Sequence, residues 1–71
     1  MDKKATVDLD ELRLRRKAIG MSISDMAERL GYKTPTGYWL IERGERKVSV
    51  DTLYTLSKIY GCTMEELIKI V

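Results

Sequence analysis

The sequence predicts an all-α domain, a compact bundle of five short helices. Three observations point there. A glycine follows each of four segments with helical apolar spacing, at Gly20, Gly31, Gly44 and Gly61. A hydroxyl residue precedes each segment that comes next, at Ser22, Thr34, Ser49 and Thr63. No strand pattern competes with these helical segments.

Residues 1–7 have no period and are expected to form a flexible N-terminal arm, leaving 8–71 as the domain. The first helix is expected over 8–19, with Leu9, Leu12, Arg16 and Ile19 on one face and Asp8 and Asp10 at its positive end. Ser22 with Asp25 reads as a capping box for the second helix, whose buried face is Met26, Ala27 and Leu30. Thr34 as N-cap and Pro35 at the first helical position announce the third helix, running to Arg43 with Tyr38 and Ile41 inward. Ser49 opens a fourth helix over 50–60 with Val50, Leu53, Leu56, Ile59 and Tyr60 as its stripe. Thr63 with Glu66 repeats the capping box for a fifth over 64–70, presenting Met64, Leu67 and Ile70.

Composition narrows the function. Seventy-one residues make one modest core, with 44% apolar and 34% charged residues. Net charge is only +2, so the total does not argue for a nucleic-acid partner; the clusters Arg13, Arg15, Arg16, Lys17 and Arg43, Arg46, Lys47 do. One cysteine and no histidine rule out zinc-finger sites and histidine-dependent catalysis within the chain. With no phosphate-binding glycine loop either, the expectation is a non-enzyme without metal or cofactor. The lone Cys62 reads as a small hydrophobe. No apolar run approaches a membrane span and the N-terminus has no signal-peptide pattern, so a cytoplasmic protein is expected.

The run Gly20-Met21-Ser22, then Met26-Ala27, Gly31 and Ile41-Glu42-Arg43-Gly44, resembles the helix-turn-helix of the phage repressor and Cro (XRE) superfamily. Ser49, Leu53, Leu56, Ile59, Gly61, Thr63 and Leu67 are similar to that family's fourth and fifth helices. The resemblance implies a lambda-repressor-like bundle with helices 2 and 3 as the helix-turn-helix, and a small Cro-like transcriptional regulator of a phage or mobile element, acting as a homodimer on a double-stranded operator. It also implies an ion pair between Arg16 and Glu42. A buried acid for Arg16 makes sense unaided, since Arg16 lies on an otherwise apolar stripe.

Three features depart from the family. The turn between helices 2 and 3 is one residue longer, Ile23 stands where a phosphate-bonding polar residue is usual, and the base-reading positions of helix 3 are Pro35, Thr36, Gly37, Trp39 and Leu40, with no Arg, Asn or Gln. Thr36 suits a base edge or phosphate, Thr36 and Leu40 a thymine methyl, and Gly37 a close backbone approach. Trp39 points outward at the groove or, alternatively, packs over the core's rim. Ser22 with the amides opening helix 2, Lys33, Thr34 and Thr36, and the loop of Arg43, Arg46 and Lys47 are candidate phosphate contacts; a merely solvated charged loop is the plainer reading. Arg13, Arg15 and Lys17 are read as solubilising. Ile68, Ile70 and Val71 offer a dimer seam or simply close the core. The competing function is a modulator or antirepressor docking on another repressor protein through Trp39, Leu40 and Ile23.

Overall fold

The computed structural model describes residues 3–71. It is mostly helical, with four α-helices rather than five: α1 (Leu9–Ala18), α2 (Ile23–Arg29), α3 (Thr36–Glu42) and α4 (Val50–Tyr60). The expected fifth helix is instead a 3-10 turn, Glu65–Leu67, running into a strand, β2 (Ile68–Ile70). Its partner is β1 (Ala5–Val7), the last part of the segment expected to be a loose arm; Met1 and Asp2 of that segment lie outside the described residues. The two strands pair antiparallel, with Ala5 opposite Ile70, Thr6 opposite Lys69 and Val7 opposite Ile68. The all-α expectation is corrected accordingly. Seven residues with Ile68 and Ile70 at their end make a poor isolated helix, whereas β-branched side chains suit a strand once a partner is present. The Thr63–Glu66 box forms nonetheless: Glu66 N–H donates to Thr63 Oγ1 (3.2 Å) and Thr63 N–H to Glu66 Oε1 (3.0 Å), and the box caps the 3-10 turn.

The other caps vary. Asp8 accepts from Glu11 N–H (3.1 Å) to open α1, and the reciprocal Ser22–Asp25 box opens α2. Ser49 accepts from Thr52 N–H (3.1 Å) at α4. Thr34 makes no side-chain cap; Pro35 precedes α3 already in helical conformation. The fixed φ of proline starts this helix without a hydroxyl.

Leu12, Met26, Ala27, Tyr38, Ile41, Leu56, Tyr60 and Leu67 form the core. Three residues expected to face inward, Ile19, Val50 and Ile70, are exposed. Ile19 and Val50 sit at helix ends, beyond the reach of the neighbouring element, and Ile70 lies toward the outer end of the ribbon. Leu14 is exposed, outside the α1 apolar face.

A polar network runs through the core. Arg16 Nε donates to Glu42 Oε2 (2.7 Å) and Arg16 Nη2 to Glu42 Oε1 (3.1 Å), with side-chain exposures of 11% and 5%. Arg16 Nη1 also donates to the Met21 carbonyl (3.1 Å). The Tyr38 and Tyr60 hydroxyls bond one another at 2.7 Å. Burial pushes Tyr60 up to about 12 against the pull of its hydrogen bond with Tyr38; the nearby Glu42 carboxylate adds to the rise and Arg16 opposes it. Burial, with Glu42 and then Tyr60, drives Tyr38 well above the usual phenol range. Among the described residues no buried side-chain nitrogen or oxygen lacks a partner.

Two outcomes are expected. Glu42→Ala strands the Arg16 guanidinium in the core, so chemical denaturation should show a loss of about 3–5 kcal/mol. A change under half a kilocalorie (about 0.5 kcal/mol, the scale of exposed pairs) would contradict a buried role. The second concerns alkali. Tyr38 and Tyr60 lose protons less readily in the folded than in the unfolded chain, where tyrosine titrates near 10. Their stabilising contribution is whole below about pH 10 and drains away as pH rises toward 12. Urea midpoints measured from pH 8 to 11.5 should fall over that interval, and Tyr60→Phe should fall less steeply than the parent.

Candidate nucleic-acid interface

α2 ends where Gly31 turns into the left-handed region (φ +83°), with Gly31 N–H donating to Glu28 O (3.0 Å) and Tyr32 N–H to Ala27 O (2.9 Å). These bonds satisfy the last carbonyls of α2 and start the turn toward α3. Small Ala27 is buried where the two helices meet. α3 turns Gly37, Tyr38, Ile41 and Glu42 inward. Its opposite face carries Thr36, Trp39 and Arg43, all exposed, with Leu40 half-buried at the margin. Trp39 is 44% exposed, so it neither joins the core nor stands clear of the surface.

Lys33, Thr34, Pro35 and Thr36 are exposed around the start of α3; Arg43, Arg46 and Lys47 are exposed beyond its end. The cations differ in their surroundings. Arg43 lies over the Trp39 ring, 4.5 Å from its centroid, and is ion-paired with Glu45. Arg46 lies over the Tyr32 ring at 5.2 Å. Lys33 and Lys47 have no ion-pair partner among the described residues. Such stacking over aromatic faces orders a guanidinium while leaving its N–H groups free for an anion.

Ser22 is exposed at the start of α2, but the complete capping box engages both its amide, donating to Asp25 Oδ2 (2.9 Å), and its hydroxyl oxygen, accepting from Asp25 N–H (3.0 Å). The amide and then the hydroxyl of Ser22 hold the Asp25 carboxylate below its ordinary range, so a negative charge persists beside Ser22 and draws on its hydroxyl proton. Ile23 is half-buried against the core.

Gly37 needs a correction. It is buried, and a Cβ there would meet Tyr32 Cδ1 and Cγ at 2.5 Å. The close approach that glycine permits is that of the Tyr32 ring, inside the molecule, and not of an outside ligand. Tyr32 is not among the residues that the sequence pattern marks. The signal that finds it is a glycine inside a short helix, costly to helix formation unless something packs on it. Glu45, which pairs with Arg43, is likewise not marked by the sequence pattern. Two residues read as solubilising also have definite partners: Arg13 Nη1 donates to the Glu42 carbonyl (2.9 Å), and Arg15 bridges Glu11 (2.6 Å) and Glu66 (2.9 Å).

Gly37→Ala should cost about 1–3 kcal/mol, the range for overpacking. The penalty should nearly vanish in a Tyr32→Ala background, where the ring is gone. Additive losses in the double variant, followed by chemical denaturation, would show that the strain lies elsewhere.

Cys62 is half-buried against the core, and burial pushes its thiol up. Among the described residues no helix is long and apolar enough to cross a membrane.

A helix-turn-helix family model matches residues 12–67, from the middle of α1 through the 3-10 turn. No curated protein and no solved structure gives a significant match. The matched span contains α2, the Gly31 turn, α3 with its outward face, and both halves of the Arg16–Glu42 pair. The family is non-enzymatic and binds DNA. The chain therefore belongs to the Cro/C1-type (XRE) helix-turn-helix family, whose fold is lambda-repressor-like.

Proposed function

We propose that the chain is a small transcriptional regulator of a phage or mobile element that binds a double-stranded operator as a homodimer. A DNA-binding protein of this kind acts in the cytoplasm of the bacterial cell or infected host. The observation that carries the reading is the division of α3: its inner face is locked in the core, while Thr36, Trp39 and Arg43 face outward with cations at both ends of the helix.

In this reading α3 enters the major groove. Thr36 contacts a base edge or phosphate, and the apolar edges of Trp39 and Leu40 meet thymine methyl groups. Lys33, Thr34 and Pro35 lie along one phosphate strand; Arg43, Arg46 and Lys47 reach the other. Ser22 contributes at most its hydroxyl proton. Arg43 must exchange Glu45 for phosphate, so its net gain on DNA is smaller than that of Arg46 or Lys47.

A second reading has support in Trp39 and Glu45. A partly exposed tryptophan beside a neutralised arginine also suits the surface of another repressor protein, with Trp39 as the anchor.

Selection from a pool of random-sequence duplexes, followed by salt titration on the recovered DNA, tests the proposal. Arg46→Ala and Lys47→Ala should each reduce the salt slope by about one unit and weaken all duplexes alike, with Arg43→Ala doing less. Trp39→Ala should change preference at one or two base positions and leave non-specific binding intact. No enrichment of any sequence, with none of the cation variants altering binding, would reject the operator reading and favour the protein partner.

A further inference from the structure

The ribbon formed by β1 and β2 carries backbone groups that the chain itself does not use. Lys4 and Val71 exchange both backbone bonds (3.2 and 2.8 Å), and Asp8 N–H donates to Leu67 O (2.8 Å). Alternation along an antiparallel ladder gives Thr6 and Lys69 the same inward role. The N–H and C=O groups of Ala5 and Val7 therefore point away from β2, without a partner among the described residues. This free edge of β1 opens on a groove of about 710 Å³ between the strand and the 44–48 loop, lined in part by Leu9 and Ile41. One face of the ribbon, formed by Ala5, Val7, Ile68 and Ile70, is only partly covered: Val7 packs on the core, but Ile70 is 60% exposed.

We infer that the β1 edge seats a second copy of this chain, β1 pairing antiparallel with β1 about a two-fold axis at Thr6. The inference rests on the homodimer reading above and names its interface. That axis sets Ala5 opposite the partner's Val7, so the outward backbone groups of both strands satisfy one another. It also sets Lys4 opposite the partner's Asp8 on one face, twice by symmetry, with the two Thr6 hydroxyls between. Asp8 has an oxygen to spare, because Glu11 N–H engages only Oδ1. The groove supplies the room for a strand. Charge decides against the other edge. The two-fold pairing of β2 that uses all its outward groups is centred on Lys69, and brings two lysines directly opposite each other.

The test uses the full chain with Cys62→Ala, so that only introduced thiols react. Thr6 faces its own copy across a non-hydrogen-bonded pair, where Cα atoms lie about 4.5 Å apart, within disulfide reach. Mild oxidation of Thr6→Cys in the absence of DNA should give a covalent dimer, and Lys69→Cys should stay monomeric. Ala5→Pro removes an outward N–H and spares the ladder to β2. It should keep the parent's unfolding midpoint and its affinity for a duplex with one selected half-site. On two half-sites it should lose the cooperative gain, roughly a hundredfold. A folded Thr6→Cys chain that stays monomeric, cross-linking through Lys69→Cys instead, or undiminished cooperativity in Ala5→Pro would each overturn the assignment. If the parent binds no duplex at all, the operator reading fails, and the cross-linking still decides the interface.

Discussion

A guanidinium withdrawn from water at the base of the helix-turn-helix requires a carboxylate in one position, and Glu42 provides it from the last turn of α3. Both oxygens are engaged by Arg16, whose remaining amino group holds the Met21 carbonyl at the entrance to α2. Arg13 grips the Glu42 carbonyl from the same helix α1. Two arginines of α1 thus fix the end of α3 through side chain and backbone together, and one of them also fixes the chain ahead of α2. Neither charge is tolerable in the core alone, so the arrangement has few alternatives. The Tyr38–Tyr60 pair extends this specification to α4. What the pair contributes above a hydrophobic replacement is chiefly orientation: α3 cannot rotate about its axis without breaking a bidentate contact.

With its inner face fixed, the outer face of α3 has a definite chemistry. Thr36, Trp39 and Leu40 offer no amide or guanidinium there, and the nearest arginine, Arg43, lies over Trp39 while paired with Glu45. Arg46 is steadied in the same manner by Tyr32, whose ring in turn occupies the space left by the missing side chain of Gly37. The loop cations are therefore not loosely solvated as a charge run usually is; two of three are held against rings. Such preorganisation lowers the entropy that any anion bound there would cost. It also ties a surface property to a core residue, since anything that displaces Tyr32 from Gly37 also moves the support beneath Arg46.

Much of this was legible in the sequence because it is local. Gly31 and Gly61 mark real helix ends with positive φ, and the Ser22–Asp25 and Thr63–Glu66 spacings do form reciprocal boxes. Arg16 betrayed a buried partner by sitting on an apolar stripe. The failures share a different origin. The alternation that Ala5–Val7 begins runs on through Asp8, Leu9 and Asp10 into the first helix and so does not mark a strand by itself, and Ile68–Ile70 reads as the end of a helix until its distant partner is known. Strand pairing across more than sixty positions leaves no mark in either segment by itself. The hydroxyl of Thr34 suggests a cap that Pro35 makes unnecessary. Gly37 was noticed, but the side of the helix on which space was needed depends on where Tyr32 turns after Gly31, which is a tertiary fact. Within the candidate interface, residue types were therefore easier to read than the partners that hold them.

The ribbon links the ends of the chain to the helix that carries the ion pair. β1 leads straight into Asp8, whose amide bonds Leu67 and whose carboxylate caps α1. Two turns further along α1 stands Arg16, and Arg16 holds α3 through Glu42. Each joint in this path is short and hydrogen-bonded, so the free edge of β1 is registered to the outward face of α3 with little freedom between them. A two-stranded ribbon is marginal by itself in water and here draws its stability from Val7 and Leu67 at its inner end. Its outer end, with Ala5 and Ile70 exposed, contributes little to the monomer. A second strand laid against β1 would extend the sheet at that under-supported end and set the distance between two copies of α3. Spacing between half-sites would then be fixed by backbone hydrogen bonds and the Lys4–Asp8 pairs, and transmitted to the DNA through the buried Arg16–Glu42 pair that holds α3.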